Sequence, residues 1–114
     1  MTNTTIDKQM QQTRKRDLET IKKKIQNCKT NAQKAHKRIT ECNRKISTLE
    51  KQYAKEQNET KAKILHGKIV MAKGSLHSAE RTYNSSLSHV EYWQNEYNRA
   101  KSMPINKKYY FNNP

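Results

Sequence analysis

"LETIKKKIQNCKTNAQKAHKRITECNRKISTLEKQY", residues 18–53, is the stretch that decides the fold. Alternate steps of three and four residues from its first position to its last meet only apolar or small side chains. Positions a and d of a coiled coil have this spacing, so the stretch predicts a long amphipathic helix with one packing seam. The predicted seam positions are Leu18, Ile21, Ile25, Cys28, Ala32, Ala35, Ile39, Cys42, Ile46, Leu49 and Tyr53.

A second series of the same spacing runs from Ala62 to Ala100, and Ser86 is its polar member. The gap between Tyr53 and Ala62 is two residues longer than a heptad, and a continuous coiled coil does not absorb such an insertion. The spacing therefore predicts a turn at about 57–61. We expect Asn58 to end the first helix in a left-handed conformation and Thr60 to cap the second. The alternative is one unbroken rod that pairs with a second chain.

Two helices joined by a short turn pack antiparallel, so facing residues should have numbers that add to about 118. Large residues then face small ones, as Ile46 faces Ala72, which favours dense packing. The predicted fold is all-α: an antiparallel two-helix coiled-coil hairpin with a short N-terminal overhang and an extended C-terminal tail. The overhang is residues 1–16, partly helical, and the hairpin is 17–101. The tail is 102–114, because Pro104 stops a helix.

The chain has 24 Lys and Arg against 10 Asp and Glu, a formal net charge of +14. Such an excess attracts polyanions, whether nucleic acid, anionic lipid or an acidic protein surface. Only 32% of the residues are apolar, which does not supply a thick globular core. Low hydrophobicity with high charge is also typical of disorder, but the heptad periodicity favours a thin helical seam.

The side of the first helix away from the seam is predicted to be a continuous positive surface, which we call the basic ridge. No acid interrupts the sequence between Glu19 and Glu41, so we expect another molecule to neutralise this charge. The predicted polyanion-binding residues are Arg16, Lys22, Lys23, Lys24, Lys29, Lys34, Lys37, Arg38, Arg44, Lys45 and Lys51.

The outward side of the second helix is instead small or apolar, which is unusual for a solvated helix face. We interpret it, together with the aromatic tail, as a protein-docking surface. The alternatives are a scatter of tolerated surface apolar residues and a frayed terminus. The predicted docking residues are Ile64, Gly67, Val70, Met71, Gly74, Leu87, Tyr92, Tyr109, Tyr110 and Phe111.

No pattern in the sequence indicates an active site. Cys28 and Cys42 are separated by fourteen residues of helix, roughly 20 Å, which is too far for a disulfide within one chain. The four histidines form no i, i+4 pair that would hold a metal. We therefore expect no enzyme activity, no cofactor, no metal and no small-molecule substrate.

These observations predict a non-enzymatic structural protein of a larger assembly. Its basic helix would contact nucleic acid phosphates without sequence specificity, and its second helix and tail would contact protein. The alternative is a protein-binding strut, clamp or cement component, for example of a virus particle, that docks on an acidic protein surface. A membrane-surface helix is a weaker third hypothesis, because no bulky apolar face backs the ridge.

Location and association are expectations of the same kind. A two-helix hairpin buries only a strip, so we expect a homo- or hetero-oligomer. No apolar run suits a signal peptide or a membrane span, which predicts an intracellular protein, cytoplasmic or within a virion or nucleoid, and not secreted. The Lys- and Asn-rich composition is associated with AT-rich genomes, including viral ones.

Overall fold

The computed structural model describes the backbone of residues 2–103 and the side chains of residues 8–103. Helix α1 is Thr2–Lys55 and helix α2 is Glu59–Ser102. They pack against each other in opposite directions, so the chain is an all-α helical hairpin, as the heptads predict. The unbroken rod is thereby excluded. Of the predicted tail, residues 104–114, including Tyr109, Tyr110 and Phe111, lie outside the described residues.

The predicted seam is the buried surface of both helices. Every predicted position is buried or half-buried except Tyr53, which is 44% exposed. The prediction is wrong for Tyr53 because the helix ends two residues later, and its ring lies beside that of His66, with centroids 6.1 Å apart. Ser86 is buried at 7% exposure, so the polar member of the second series also occupies the seam.

Contacts between the helices confirm the antiparallel register. The rings of His36 and Tyr83 lie 5.9 Å apart, centroid to centroid, and Lys73 Nζ lies 3.6 Å from Glu50 Oε1. The ring pair matches the predicted sum to within one residue, and Ile46 and Ala72, which match it fully, belong to one core. The ion pair deviates by five residues, which its long side chains span. Position a of one helix therefore faces position d of the other, which is the arrangement that places small residues opposite large ones.

The hairpin divides into two compact units, each with its own core. The terminal unit is Met1–Lys29 with Leu87–Pro114, and the turn unit is Thr30–Ser86. Both cores are narrow strips in which alanines adjoin larger side chains. The core of the terminal unit contains Ile21, Ile25 and Ala100, with Leu18, Val90, Trp93 and Tyr97 packed against them. The core of the turn unit contains Ile46, Leu49, Ile69 and Ala72, with Leu65 and Leu76 packed against them.

The predicted N-terminal overhang is continuous with α1, which runs without a break from Thr2. The Arg14 guanidinium donates to the backbone carbonyl of Lys101, one residue before α2 ends. In this register, the α1 residues that precede Arg14 extend past the last residue of α2. They are helical throughout their described backbone, where the sequence predicted a partly helical segment.

The chain reverses through three non-helical residues, 56–58. The amide of Lys61 donates to Asn58 Oδ1 at 3.0 Å, and the amide of Ala62 donates to the Asn58 carbonyl at 2.9 Å. Asn58 is therefore the N-cap of α2, and the expectation that Thr60 would cap this helix is wrong. The expected left-handed conformation of Asn58 is also wrong, since no described residue has a positive φ. Instead, the Glu56 carboxylate accepts from the Asn58 amide at 3.1 Å.

The cap contacts predict different effects at two neighbouring positions. Asn58→Ala should lower the free energy of unfolding by about 0.5–2 kcal/mol, because it removes the acceptor of an otherwise unpaired helix N–H. Thr60→Ala, inside the first turn of α2, should change it by less than about 0.5 kcal/mol. Urea unfolding followed by circular dichroism measures both. Equal losses would contradict the assignment of the cap.

The terminal core predicts a second contrast. Ile21 is fully buried, so Ile21→Ala should cost about 2–5 kcal/mol through lost transfer energy and the cavity left behind. Leu87→Ala is the matched control in the same unit, because Leu87 is 44% exposed, and it should cost about 1 kcal/mol or less. Thermal unfolding at low micromolar chain concentration measures both. Similar costs would mean that the seam is not the core.

Candidate polyanion interface

The structure places the predicted basic ridge on the solvent side of α1. In the terminal unit Arg16, Lys22, Lys23 and Lys29 are exposed and Lys24 is half-buried. In the turn unit every member is exposed, namely Lys34, Lys37, Arg38, Arg44, Lys45 and Lys51. Each unit therefore presents a set of basic side chains to solvent.

The heptad explains the exposure in the turn unit. Lys37, Arg44 and Lys51 occupy the f position, which faces away from the a and d seam, and they recur every seven residues. This spacing repeats the charge roughly every 10 Å along the helix axis. Lys34, Arg38 and Lys45 flank the column. The result is a surface patterned in charge, with no large exposed apolar residue among its members.

The ion pairs of the described part of the chain do not include an exposed ridge residue. They join Lys63 to Glu59, Lys73 to Glu50 and Arg99 to Glu96, and none of these residues belongs to the ridge. The first two pairs are more than half exposed on both sides, so each contributes less than about 1 kcal/mol. The exposed ridge cations remain available to an anionic partner.

Aromatic residues of α2 hold two ridge lysines in the terminal unit. Lys24 Nζ lies 4.3 Å from the centroid of the Trp93 ring, and Lys22 Nζ lies 5.8 Å from that of Tyr97. Tyr92 meets the Trp93 ring edge-on at 5.0 Å between centroids. These cation–π contacts explain why Lys24 is half-buried. Heptad spacing did not predict these contacts, although the antiparallel register places both lysines opposite these aromatic seam residues.

The outward face of α2 differs from the ridge in chemistry. In the turn unit, Ile64 and Val70 are each 56% exposed and Met71 is 76% exposed. A Cβ added at Gly67 or Gly74 would meet no atom within 4 Å, so both glycines border open space. In the terminal unit, Leu87 and Tyr92 are the exposed apolar residues of α2. All the predicted docking residues within the described chain therefore lie at the surface.

Residues with catalytic or ligand-binding chemistry are dispersed. Among the described residues, no three His, Cys, Asp or Glu side chains lie close enough to share a metal ion. Cys28 and Cys42 are free and half-buried in the seam. A surface depression beside the turn is lined by Gln52, Lys55, Glu56, Lys61, Ile64 and Leu65. Neither helix, over its described length, has an apolar stretch long enough to cross a bilayer.

Comparison of the chain with family models, curated proteins and solved structures gives no match. The surface chemistry of the hairpin itself is therefore the guide to its function.

The contact between Lys24 and Trp93 predicts that adjacent ridge lysines differ in structural role. Lys24→Gln should lower the free energy of unfolding by about 0.5–1 kcal/mol relative to Lys23→Gln, because only Lys24 has a cation–π contact with Trp93. Both substitutions remove one positive charge, so the change in overall repulsion cancels in the comparison. Thermal unfolding of the two variants measures the difference. Equal stability would show that the contact with Trp93 contributes nothing.

Proposed function

We propose that the chain is a non-enzymatic structural protein of a larger assembly. The basic ridge of α1 binds nucleic acid phosphates without sequence specificity, and the outward face of α2 contacts protein. The observation that carries this proposal is the separation of two chemistries onto two helices. α1 presents exposed cations that are outside the ion pairs of the described chain, whereas every large exposed apolar residue of the described chain except Tyr53 belongs to α2.

This separation favours nucleic acid over an acidic protein as the partner of the ridge. Specific protein interfaces usually have an apolar or aromatic centre that supplies most of the binding energy, with charges at the rim. The ridge has no such centre, since its members are all Lys or Arg. A phosphate backbone requires none, because its affinity comes from the release of condensed counterions.

Lack of sequence specificity follows from the same residue types. Base readout depends on groups with paired donors or acceptors, such as Arg on guanine and Asn or Gln on adenine, in the major groove. Eight of the eleven ridge residues are lysines, whose ammonium group acts as a single point of charge. We therefore expect the ridge to contact phosphates and to leave the bases unread.

Salt titrations of nucleic acid binding test this proposal. Duplex and single-stranded DNA of mixed sequence are titrated with the full chain by calorimetry at several salt concentrations. Log K should fall linearly with log salt concentration, with a slope of about 0.9 per phosphate contacted on duplex. The triple variant Lys37→Gln, Arg44→Gln, Lys51→Gln should reduce the slope by about 3 and weaken binding on the order of 10²- to 10³-fold at 0.1 M salt.

The matched control is the triple variant Lys61→Gln, Lys63→Gln, Arg81→Gln. It lowers the net charge equally and lies in the same unit, but on α2. It should keep a slope close to that of the original chain. Equal losses in the two triple variants would mean that overall charge, not the ridge, attracts DNA. No binding at low salt would reject nucleic acid and favour the acidic protein surface.

A further inference from the structure

The outward face of α2 in the turn unit has the spacing of a second helix-packing seam. Thr60, Ile64, Gly67, Met71, Gly74 and Ser78 succeed one another in steps of four and three residues and include no charge. They are all exposed. We call these six residues the outer stripe. Its heptad positions, c and f, lie on the side of α2 opposite to the a and d seam.

The two glycines have no packing role that the described chain reveals. Each sits inside α2, where glycine weakens a helix relative to alanine, and an added Cβ at either position would find open space. The two glycines are therefore better explained by a contact with another molecule. Because glycine has no side chain, another helix can approach α2 closely at these positions or insert a large side chain there.

We propose that the outer stripe is the interface with a second copy of this chain, packed antiparallel about a two-fold axis near Ile69. In the hairpin, antiparallel packing pairs position a with position d. The same rule between two copies pairs position c with position f, and an axis near Ile69 requires facing numbers that add to about 138. Ile64 then faces Gly74 of the second copy, and Met71 faces its Gly67. Each large side chain enters a glycine gap.

Neighbouring registers lack this fit. A shift of one heptad in one direction places Arg81 opposite Ile64, and a shift in the other direction places Met71 opposite Thr60. In the register about Ile69 the remaining pair is Thr60 with Ser78, which are both small. The stripe is thus complementary to itself in one register, which is the property that an interface between identical copies requires.

The area of the outer stripe and the charges beside it determine the strength and the salt dependence of the proposed dimer. The stripe is roughly 28 Å long at 1.5 Å per residue, so the two copies together bury on the order of 1,000 Å². This area belongs to weak, concentration-dependent interfaces. Near the two-fold axis, Val70 of one chain lies beside Val70 of the second copy along one side of the stripe, which adds apolar burial. Along the other side, Lys68 lies beside Lys68 of the second copy, and these like charges repel. Salt should therefore strengthen the dimer.

The inference rests on the part of the proposed function that assigns the outward face of α2 to protein contacts, and it names the partner. Salt separates the two proposals, because it weakens phosphate binding and strengthens self-association. A monomer that binds DNA with a steep salt slope would reject the dimer alone. A dimer that does not bind DNA would reject the phosphate interface alone.

The test is sedimentation equilibrium of the full chain from micromolar to millimolar concentration, at 0.1 M and 0.5 M NaCl. We expect a monomer–dimer equilibrium with a dissociation constant on the order of 10–100 µM that is tighter at the higher salt concentration. A chain that stays monomeric at millimolar concentration in 0.5 M NaCl would overturn the proposal. Assembly beyond the dimer would also overturn it, because a two-fold interface closes.

Variants of the stripe test the register. The double variant Gly67→Ala, Gly74→Ala should melt at a higher temperature because alanine favours helix, yet it should dimerise at least tenfold more weakly because the gaps are filled. Dimerisation that is equal to or stronger than that of the original chain would overturn the assigned register. Met71→Lys should abolish the dimer. The matched control Leu87→Lys, also an exposed apolar residue of α2, should leave it intact, and loss of the dimer in both would overturn the assignment to the stripe.

Discussion

The antiparallel packing of a positions against d positions is the constraint on which the rest of the hairpin depends. Once Ile46 and Ala72 belong to one core, the rotation of both helices about their axes is fixed. The f column of α1 then has to face solvent, and so do Gly67 and Gly74 of α2. The basic ridge and the outer stripe are thus two consequences of one seam, each exposed because the seam excludes it.

The cores of the hairpin are thin, so partners bound at the basic ridge or at α2 can contribute a large part of its stability. Each core is a strip between two helices in which alanine adjoins larger side chains, so little apolar area is buried per residue. The cross-helix ion pair between Lys73 and Glu50 adds little, because it is solvent-exposed. The free energy of unfolding of such a chain should increase when a partner covers α2. It should also increase when a polyanion reduces the mutual repulsion of the lysines.

Much of the fold was predictable because a heptad carries its own geometry. Spacing alone identified Ile21, Ile25 and Ala100 as buried, and the length of the gap indicated a reversal instead of a continuous rod. The turn was less predictable. Asn58 and Thr60 are both good N-cap residues, and the structure uses Asn58, whose own amide donates to the Glu56 carboxylate. No periodicity contains these contacts. Seam periodicity likewise overstated the burial of Tyr53, two residues before the end of α1.

For the candidate surfaces, the sequence predicted which residues are exposed but not which contacts they make. Heptad position correctly placed Lys37, Arg44 and Lys51 toward solvent, because exposure follows from rotation about the helix axis. It did not predict the contacts of Lys22 and Lys24, since a long flexible side chain at a flanking position can either extend into water or lie on an aromatic ring. Nor does charge spacing identify an anion, because phosphates and clustered carboxylates attract the same ammonium groups.

The position of Trp93 gives the hairpin a built-in optical reporter. It is the chain's one tryptophan, half-buried in the terminal unit, with the Lys24 ammonium 4.3 Å from its ring centroid and Tyr92 at its edge. A nearby cation and partial burial both influence indole emission, so an anion that draws Lys24 off the ring alters the intrinsic fluorescence of the unlabelled chain. The turn unit contains no tryptophan, so light that only indole absorbs excites no side chain there. Emission therefore distinguishes occupancy of the ridge near the chain ends from occupancy near the turn.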